Sequence, residues 1–149
     1  MIKPTIKQFD FILFHPSKSK LDWKSPFHQD RWNWCDALFM SPPVWVMVSN
    51  ITRDRKYIEF MVREWKATTN YLFDKKESLY YRDGSYFDQL DNGTKIFWGR
   101  GNGWVFAGLA NVMQELDPKD KDYPYFLKLY KKIAKKLIEI QTPQGHWAM

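Results

Sequence analysis

The sequence predicts an all-α fold of paired helices, of the kind found in helical-hairpin barrels and solenoids. Apolar residues recur at helical spacing over most of the chain, and aromatic loops join the resulting segments. Each pair of helices in such a fold needs neighbouring pairs to cover its second face. The chain has 149 residues, of which 44% are hydrophobic, so it is of single-domain length and able to form a core. We therefore treat residues 1–149 as one partial domain.

The N-terminal third of the chain predicts short helices separated by a loop. Residues 5–15 carry apolar side chains at helical spacing, and the proline that follows ends the segment. Residues 17–30 are polar and contain proline, which predicts a loop. The apolar run 37–48 predicts a buried helix, but two consecutive prolines within it divide that helix into short pieces.

Three longer helices are predicted in the rest of the chain. Residues 53–73 combine capping side chains with an amphipathic pattern, and residues 104–116 show a similar pattern up to an Asp-Pro step. Residues 123–141 form the last predicted helix, whose lysines we interpret as a solvated face. Between the first two of these helices, residues 74–95 predict an aromatic loop with a short hairpin at residues 91–93.

Composition narrows the classes of function. The net charge is +6, but lysines of one helix supply much of it, so we expect no nucleic-acid binding. The single cysteine, Cys35, excludes an internal disulfide and a cysteine metal site, and we expect it to be a buried small residue. We expect no metal, no cofactor and no membrane partner. The N-terminus shows no signal-peptide pattern, which leaves a cytoplasmic or a periplasmic location open.

Two aromatic motifs surround charged residues. In the first, residues 32–40, Asp36 follows Trp34 and precedes an apolar run. In the second, residues 97–104, tryptophans and three glycines surround Arg100, and we expect a tight turn that a planar or anionic group can approach. An acid and a guanidinium among aromatic rings suggest an acidic sugar as the ligand.

These motifs resemble the signatures of the unsaturated glycuronyl hydrolases. The similarity is greatest to the unsaturated rhamnogalacturonyl hydrolases of glycoside hydrolase family 105, with family 88 as their relative. Its strongest elements are Trp-Cys-Asp-Ala-Leu-Phe-Met at residues 34–40, followed closely by Pro-Pro, and Trp-Gly-Arg-Gly-Asn-Gly-Trp at residues 98–104. The similarity covers residues 31–147 and includes a weaker inter-helix turn at 141–147.

The resemblance implies a six-hairpin (α/α)6 barrel with its site at one end of the inner helices. Such a barrel contains about twelve helices, and this sequence predicts roughly half of them, so the chain resembles a central fragment. Helix faces without their neighbouring hairpins would expose apolar side chains, and we therefore expect self-association.

The resemblance also implies a reaction. Members of the family remove an unsaturated uronic acid by hydrating its C4–C5 double bond, and Asp36 matches the aspartate that donates the proton and then accepts one from water. Walls formed by Trp32 and Trp34 would exclude water from this carboxyl and favour its protonated form. From the residues alone, an N-cap for the helix that begins at Ala37 is the alternative role of Asp36.

Other motif residues are expected to hold the substrate. Arg100 matches the family arginine near the substrate carboxylate, and a structural salt bridge is its alternative role. Trp98 and Trp104 match the tryptophans that contact sugar faces, and we include Trp34 as a further binding residue.

Arg82 marks a departure from the family pattern, because some relatives have a histidine at this place. Arg82 could contact an anionic substrate, or it could form a surface pair with Asp83. The family's second site aspartate has no counterpart that we can assign in this sequence.

We thus expect a hydrolase that removes an unsaturated uronic acid from the non-reducing end of lyase-generated pectic or related oligosaccharides. The alternative is a truncated, non-catalytic carbohydrate-binding or scaffold remnant. A nucleic-acid module would rest on charge alone. The expected partner is therefore an oligosaccharide that contains an unsaturated uronate.

Overall fold

The computed structural model describes residues 2–147, which form a mainly helical structure. Its α-helices are α1 (Lys3–Phe14), α2 (Ala37–Met40), α3 (Pro42–Thr52), α4 (Lys56–Leu72), α5 (Gly99–Glu115) and α6 (Tyr123–Glu139). Two antiparallel ribbons lie between α4 and α5, formed by β1 (Phe73–Asp74) with β2 (Leu79–Tyr80) and by β3 (Leu90–Asp91) with β4 (Thr94–Lys95). The predicted helical fold class is confirmed.

Several local expectations agree with the structure. The two consecutive prolines begin α3, because the fixed φ of proline suits the first helical positions. Arg53, with a φ of 60°, follows the end of α3 and separates it from α4. The expected hairpin lies between β3 and β4, where Asn92 and Gly93 both have positive φ, as a tight hairpin turn requires.

Helix α5 begins earlier than expected. It starts at Gly99 rather than at Trp104, so Arg100 and its flanking glycines lie in the first helical turns. The expectation of a tight turn at these glycines is wrong. Glycine weakens a helix, but tertiary packing and the hydrogen bonds of Asn102 stabilise this one.

Helix α5 is the centre of the structure. Helices α2, α3 and α6 all pack against it, and α3 also packs against α4. The largest fully buried side chains come from these helices and from β2, and they include Trp65, Tyr57, Tyr80, Phe126, Leu38 and Met61. The core therefore surrounds α5, and the region of the two ribbons lies near its N-terminal end.

A glycine allows α2 to lie directly on α5. A Cβ atom added to Gly108 would be 2.3 Å from the carbonyl oxygen of Leu38 and 3.0 Å from the Cα of Phe39. Gly103 differs, because nothing lies within 4 Å of an added Cβ atom there. The packing of α2 on α5 thus requires glycine at position 108, whereas position 103 on the same helix has room for a side chain.

Large apolar side chains remain exposed on the outer helices. Phe14 is 65% exposed and Ile138 is 74% exposed. A cavity of about 530 Å³ on the α6 side of α5 is also lined mostly by apolar groups. Self-association stays a prediction, which these surfaces support. Along residues 2–147, no helix is both long enough and apolar enough to cross a bilayer.

Replacement of Gly108 with Ala tests the contact between α2 and α5. We expect the free energy of unfolding to fall by about 1–3 kcal/mol, because the atoms that the new methyl group meets belong to the backbone and cannot rotate away. Gly103→Ala is the matched control, and it should raise the stability by roughly 0.5–1 kcal/mol. Urea denaturation of both variants measures the difference, and equal effects would contradict the proposed packing.

Candidate active site

Three segments of the chain meet at Cys35. Its backbone N–H donates a hydrogen bond of 2.9 Å to the carbonyl oxygen of Arg82. A Cβ atom added to Gly101 would lie 2.7 Å from the Cys35 sulfur and 2.3 Å from a ring carbon of Trp98. The first motif therefore contacts both the loop after β2 and the first turn of α5.

Cys35 itself is buried and unreactive. Its side chain has no exposed surface. Burial, together with the negative charge of the neighbouring Asp36, raises the pKa of the Cys35 thiol to about 12. This agrees with the expectation of a buried small residue rather than a nucleophile.

Asn102 joins the second motif to the last residue of β2. Its side-chain oxygen accepts a hydrogen bond of 2.8 Å from the backbone N–H of Tyr80, and its amide nitrogen donates to the Tyr80 carbonyl at 2.9 Å. The same nitrogen also donates to the Trp98 carbonyl at 3.1 Å. Asn102 is 2% exposed, so these bonds form in the protein interior, where a missing partner is costly.

Asp36 lies at the N-terminal end of α2, where it is half-buried. Its side chain makes no capping hydrogen bond, so the N-cap alternative is not observed. The carboxyl borders an open depression of about 380 Å³, lined by Gln29, Arg31, Asn33, Trp34, Ala37 and Met40. This leaves the carboxyl available to a ligand.

Only one of the two expected tryptophan walls is present beside Asp36. Trp34 lines the depression, whereas Trp32 lines a separate cavity and packs edge-on against Phe60, with ring centroids 6.3 Å apart. The expectation that Trp32 encloses the carboxyl is wrong. The hydroxyl of Thr68 donates a hydrogen bond to the Trp32 carbonyl and holds the backbone of this segment against α4.

Arg82 lies next to Trp34. The carbon at the centre of its guanidinium is 4.6 Å from the Trp34 ring centroid and 4.4 Å from that of Tyr86. Its Nε donates a hydrogen bond of 2.7 Å to Asp83. The expected pair of Arg82 and Asp83 therefore exists, but Asp83 is 3% exposed and is not a surface residue.

The Asp83 carboxylate is held in place from two sides. Burial acts to raise its pKa, but hydrogen bonds from Ser85 and from the Arg82 guanidinium outweigh burial and lower that pKa below its usual value. Asp83 thus remains ionised and orients Arg82. Sequence reasoning considered Asp83 only as a surface partner of Arg82 and gave Asn102 no role, because the burial of Asp83 and the bonds of Asn102 with Tyr80 are revealed only by the fold.

The second motif places Arg100 and Trp98 together. Arg100 is exposed, and its guanidinium lies 4.9 Å from the Trp98 ring centroid. No acidic side chain forms an ion pair with Arg100 within residues 2–147, so the alternative of a structural salt bridge is not observed there. Trp104 packs against Phe39 with ring centroids 4.6 Å apart, and it therefore joins α5 to α2.

Apart from Trp104, the predicted site residues thus fall into two groups. Trp34, Asp36 and Arg82 form one group, and Trp98 and Arg100 form the other. Both groups border Cys35 through the contacts described above. For metal ions, residues 2–147 hold no group of three His, Cys, Asp or Glu side chains arranged as ligands.

Comparison with known proteins identifies the family. The model of Glycosyl Hydrolase Family 88 matches residues 1–149, which is the whole chain. The chain belongs to glycosyl hydrolase family 88. The family resemblance inferred from the two motifs is therefore confirmed, as is the assignment to glycoside hydrolases.

Two curated relatives of this family 88 chain are both named unsaturated 3S-rhamnoglycuronyl hydrolase. The protein from Alteromonas sp. (strain LOR) is 39% identical over 156 residues, which cover 97% of this chain and 38% of the relative. The protein from Formosa agariphila is 35% identical, with coverage of 95% of this chain and 43% of the relative. The chain thus spans about two fifths of the length of these relatives.

Solved structures support the fold. A family 88 glycosyl hydrolase from Bacteroides vulgatus superposes with a TM-score of 0.84 at 34% identity, covering 98% of this chain and 40% of that structure. A family 105 glycoside hydrolase from C. acetobutylicum superposes with a TM-score of 0.72 at 22% identity, covering 97% and 42% respectively, and shows the fold alone. The chain is therefore an incomplete part of an (α/α)6 six-hairpin barrel.

Replacement of Asn102 with Ala tests the connection between the site segments. We expect the free energy of unfolding to fall by at least about 2 kcal/mol, because the backbone N–H and carbonyl of Tyr80 would remain buried without partners. Asn111→Ala is the control, since Asn111 lies on the same helix and its amide makes no hydrogen bond to residues 2–147. Chemical denaturation that showed equal stabilities for the two variants would refute this role of Asn102.

Proposed function

We propose that this chain carries the catalytic acid of an enzyme that removes an unsaturated, 4,5-dehydro uronic acid from the non-reducing end of lyase-generated oligosaccharides. The main support is the position of Asp36. Its carboxyl makes no capping bond and borders an open depression, with Trp34 beside it. The relatives named as unsaturated rhamnoglycuronyl hydrolases favour the same reaction.

The proposed reaction begins with proton transfer from the Asp36 carboxyl to C4 of the uronate. The C4–C5 double bond is consumed, and the positive charge that develops at C5 is shared with the ring oxygen. A water molecule adds to C5 and gives a proton to the Asp36 carboxylate, which regenerates the acid. The resulting hemiketal opens, and the hemiacetal left at C1 then breaks down and releases the next sugar.

The neighbouring residues have binding roles in this proposal. Arg100 is exposed at the start of α5, and its fork of N–H groups suits a bidentate contact with the uronate carboxylate. Trp98 lies next to the Arg100 guanidinium and offers part of its ring to a sugar face, while Trp34 offers another ring at the depression that Asp36 lines. Trp104 contributes through its contact with Phe39, which holds α2 and α5 together.

The sugar next to the uronate is proposed from the relatives. The names of both curated relatives contain the term 3S-rhamnoglycuronyl, in which we interpret 3S as a sulfate ester at position 3 of the rhamnose. We therefore propose a sulfated rhamnose, rather than a pectic sugar, as the neighbour of the unsaturated uronate. A non-catalytic carbohydrate-binding remnant is the competing function, and it predicts binding without loss of the double bond.

Replacement of Asp36 with Asn tests the proposed acid. The assay follows the ultraviolet absorbance of the conjugated alkene in a disaccharide of the unsaturated uronate and rhamnose. The proteins assayed are this chain and a chimera in which the chain replaces the matching segment of the Alteromonas relative. We expect the variant to lower the rate by about 100-fold or more, because an amide cannot donate the proton, while thermal unfolding stays unchanged.

Asp88→Asn is the matched control for this experiment. Asp88 is exposed and lies outside both site groups, so its replacement should leave the rate unchanged. Retained activity in Asp36→Asn would exclude Asp36 as the acid. A chimera that folds and binds the disaccharide but leaves its alkene intact would favour the non-catalytic remnant.

A further inference from the structure

Arg82 is fixed in a position that suits a second anion of the substrate. We propose that Arg82 binds the sulfate ester on the sugar next to the unsaturated uronate, and that it thereby sets the preference for a sulfated substrate. This inference rests on the function proposed above and assigns its specificity to one side chain.

The first support is the rigidity of Arg82. The central carbon of its guanidinium is 4.6 Å from the Trp34 ring centroid and 4.4 Å from that of Tyr86, and its Nε donates to the buried Asp83 carboxylate. An arginine side chain normally loses much rotational freedom when it binds a ligand. Here the protein has already restricted that freedom, so less of it is lost on binding.

The second support is the edge of the guanidinium that remains free. Asp83 occupies the Nε side, while the two terminal nitrogens of Arg82 make no hydrogen bond to any side chain or backbone group of residues 2–147. The side chain is 31% exposed. Two parallel N–H groups at this edge match two oxygens of a sulfate, in the bidentate arrangement that guanidinium groups favour.

The third support is the distribution of charge. The Asp83 carboxylate is 3% exposed, so an approaching anion meets the cation and not the carboxylate. Arg31, which also borders the depression, differs from Arg82 because one of its terminal nitrogens donates to the Ser19 carbonyl at 3.4 Å, in addition to the bond of its Nε with Glu64. Within residues 2–147, Arg82 and Arg100 are the site arginines whose two terminal nitrogens both make no hydrogen bond, which suits a substrate with two separate anions.

The fourth support is the position of Arg82 relative to Asp36. Trp34 lines the depression beside Asp36 and also stacks on the Arg82 guanidinium. Trp34 is thus a neighbour of both the depression that Asp36 lines and the proposed sulfate-binding group. A uronate held at Asp36 would direct its neighbouring sugar along this ring, and both curated relatives carry a sulfated rhamnose in their names.

The test compares two ligands with this chain. One is the unsaturated uronate linked to 3-sulfated rhamnose, and the other is the same disaccharide without the sulfate. Isothermal titration calorimetry measures their dissociation constants for the unaltered chain and for Arg82→Gln, Arg82→Lys and Arg63→Gln. Arg63 is the control arginine, because it is exposed on α4 and lines neither the depression nor the Arg82 stack.

We expect the unaltered chain and Arg63→Gln to bind the sulfated ligand about tenfold more tightly than the desulfated one, as a charge-assisted bidentate contact implies. Arg82→Gln should lose this preference and bind both ligands at the desulfated level. Arg82→Lys should keep part of it, since lysine retains the charge and loses the planar fork.

The other outcomes overturn the inference in distinguishable ways. If Arg82→Gln weakens binding of both ligands equally, Arg82 has a structural role only. If the unaltered chain binds both ligands with equal affinity, the inference fails while the proposed function survives. If neither the folded chain nor the chimera described above binds either ligand, the proposed function fails with it.

Discussion

The site depends on the buried amide of Asn102. Through it, a single side chain on α5 binds both the N–H and the carbonyl of Tyr80, as a neighbouring β-strand would. This fixes the loop after β2, and the Arg82 carbonyl is then in place to accept the Cys35 N–H. Without these bonds, the buried polar groups of three segments would lack partners, and the relative position of the two aromatic motifs would not be fixed.

Close packing at two glycines also fixes the positions of the site segments. Gly101 lets the first turn of α5 approach Cys35, and Gly108, two turns later, lets the same helix approach the Leu38 carbonyl. Both residues cost helix propensity, and they are tolerated because the side chains of Cys35 and Trp98 lie against Gly101 and the backbone of α2 lies against Gly108. The acid and Arg100 therefore stand on elements whose mutual distance is set by close packing against α5.

The sequence revealed the elements better than their contacts. The helical pattern, the division at the prolines and the burial of Cys35 all follow from local periodicity and composition, and they agree with the structure. The early start of α5 could not be predicted from local sequence. Glycine disfavours helix, and only the tertiary contacts of this segment outweigh that preference. Likewise, the orientation of Trp32 and the bond between Asn102 and Tyr80 join residues far apart in sequence, which no local pattern reports.

The central claim is that the two motifs form one binding site. Nuclear magnetic resonance of the indole N–H groups tests it most directly, with the chain titrated by the unsaturated sulfated disaccharide. The signals of Trp34 and Trp98 should shift together with a single dissociation constant, while the fully buried Trp65 stays unchanged as an internal reference. Shifts in only one of the two motifs, or two different dissociation constants, would contradict a common site.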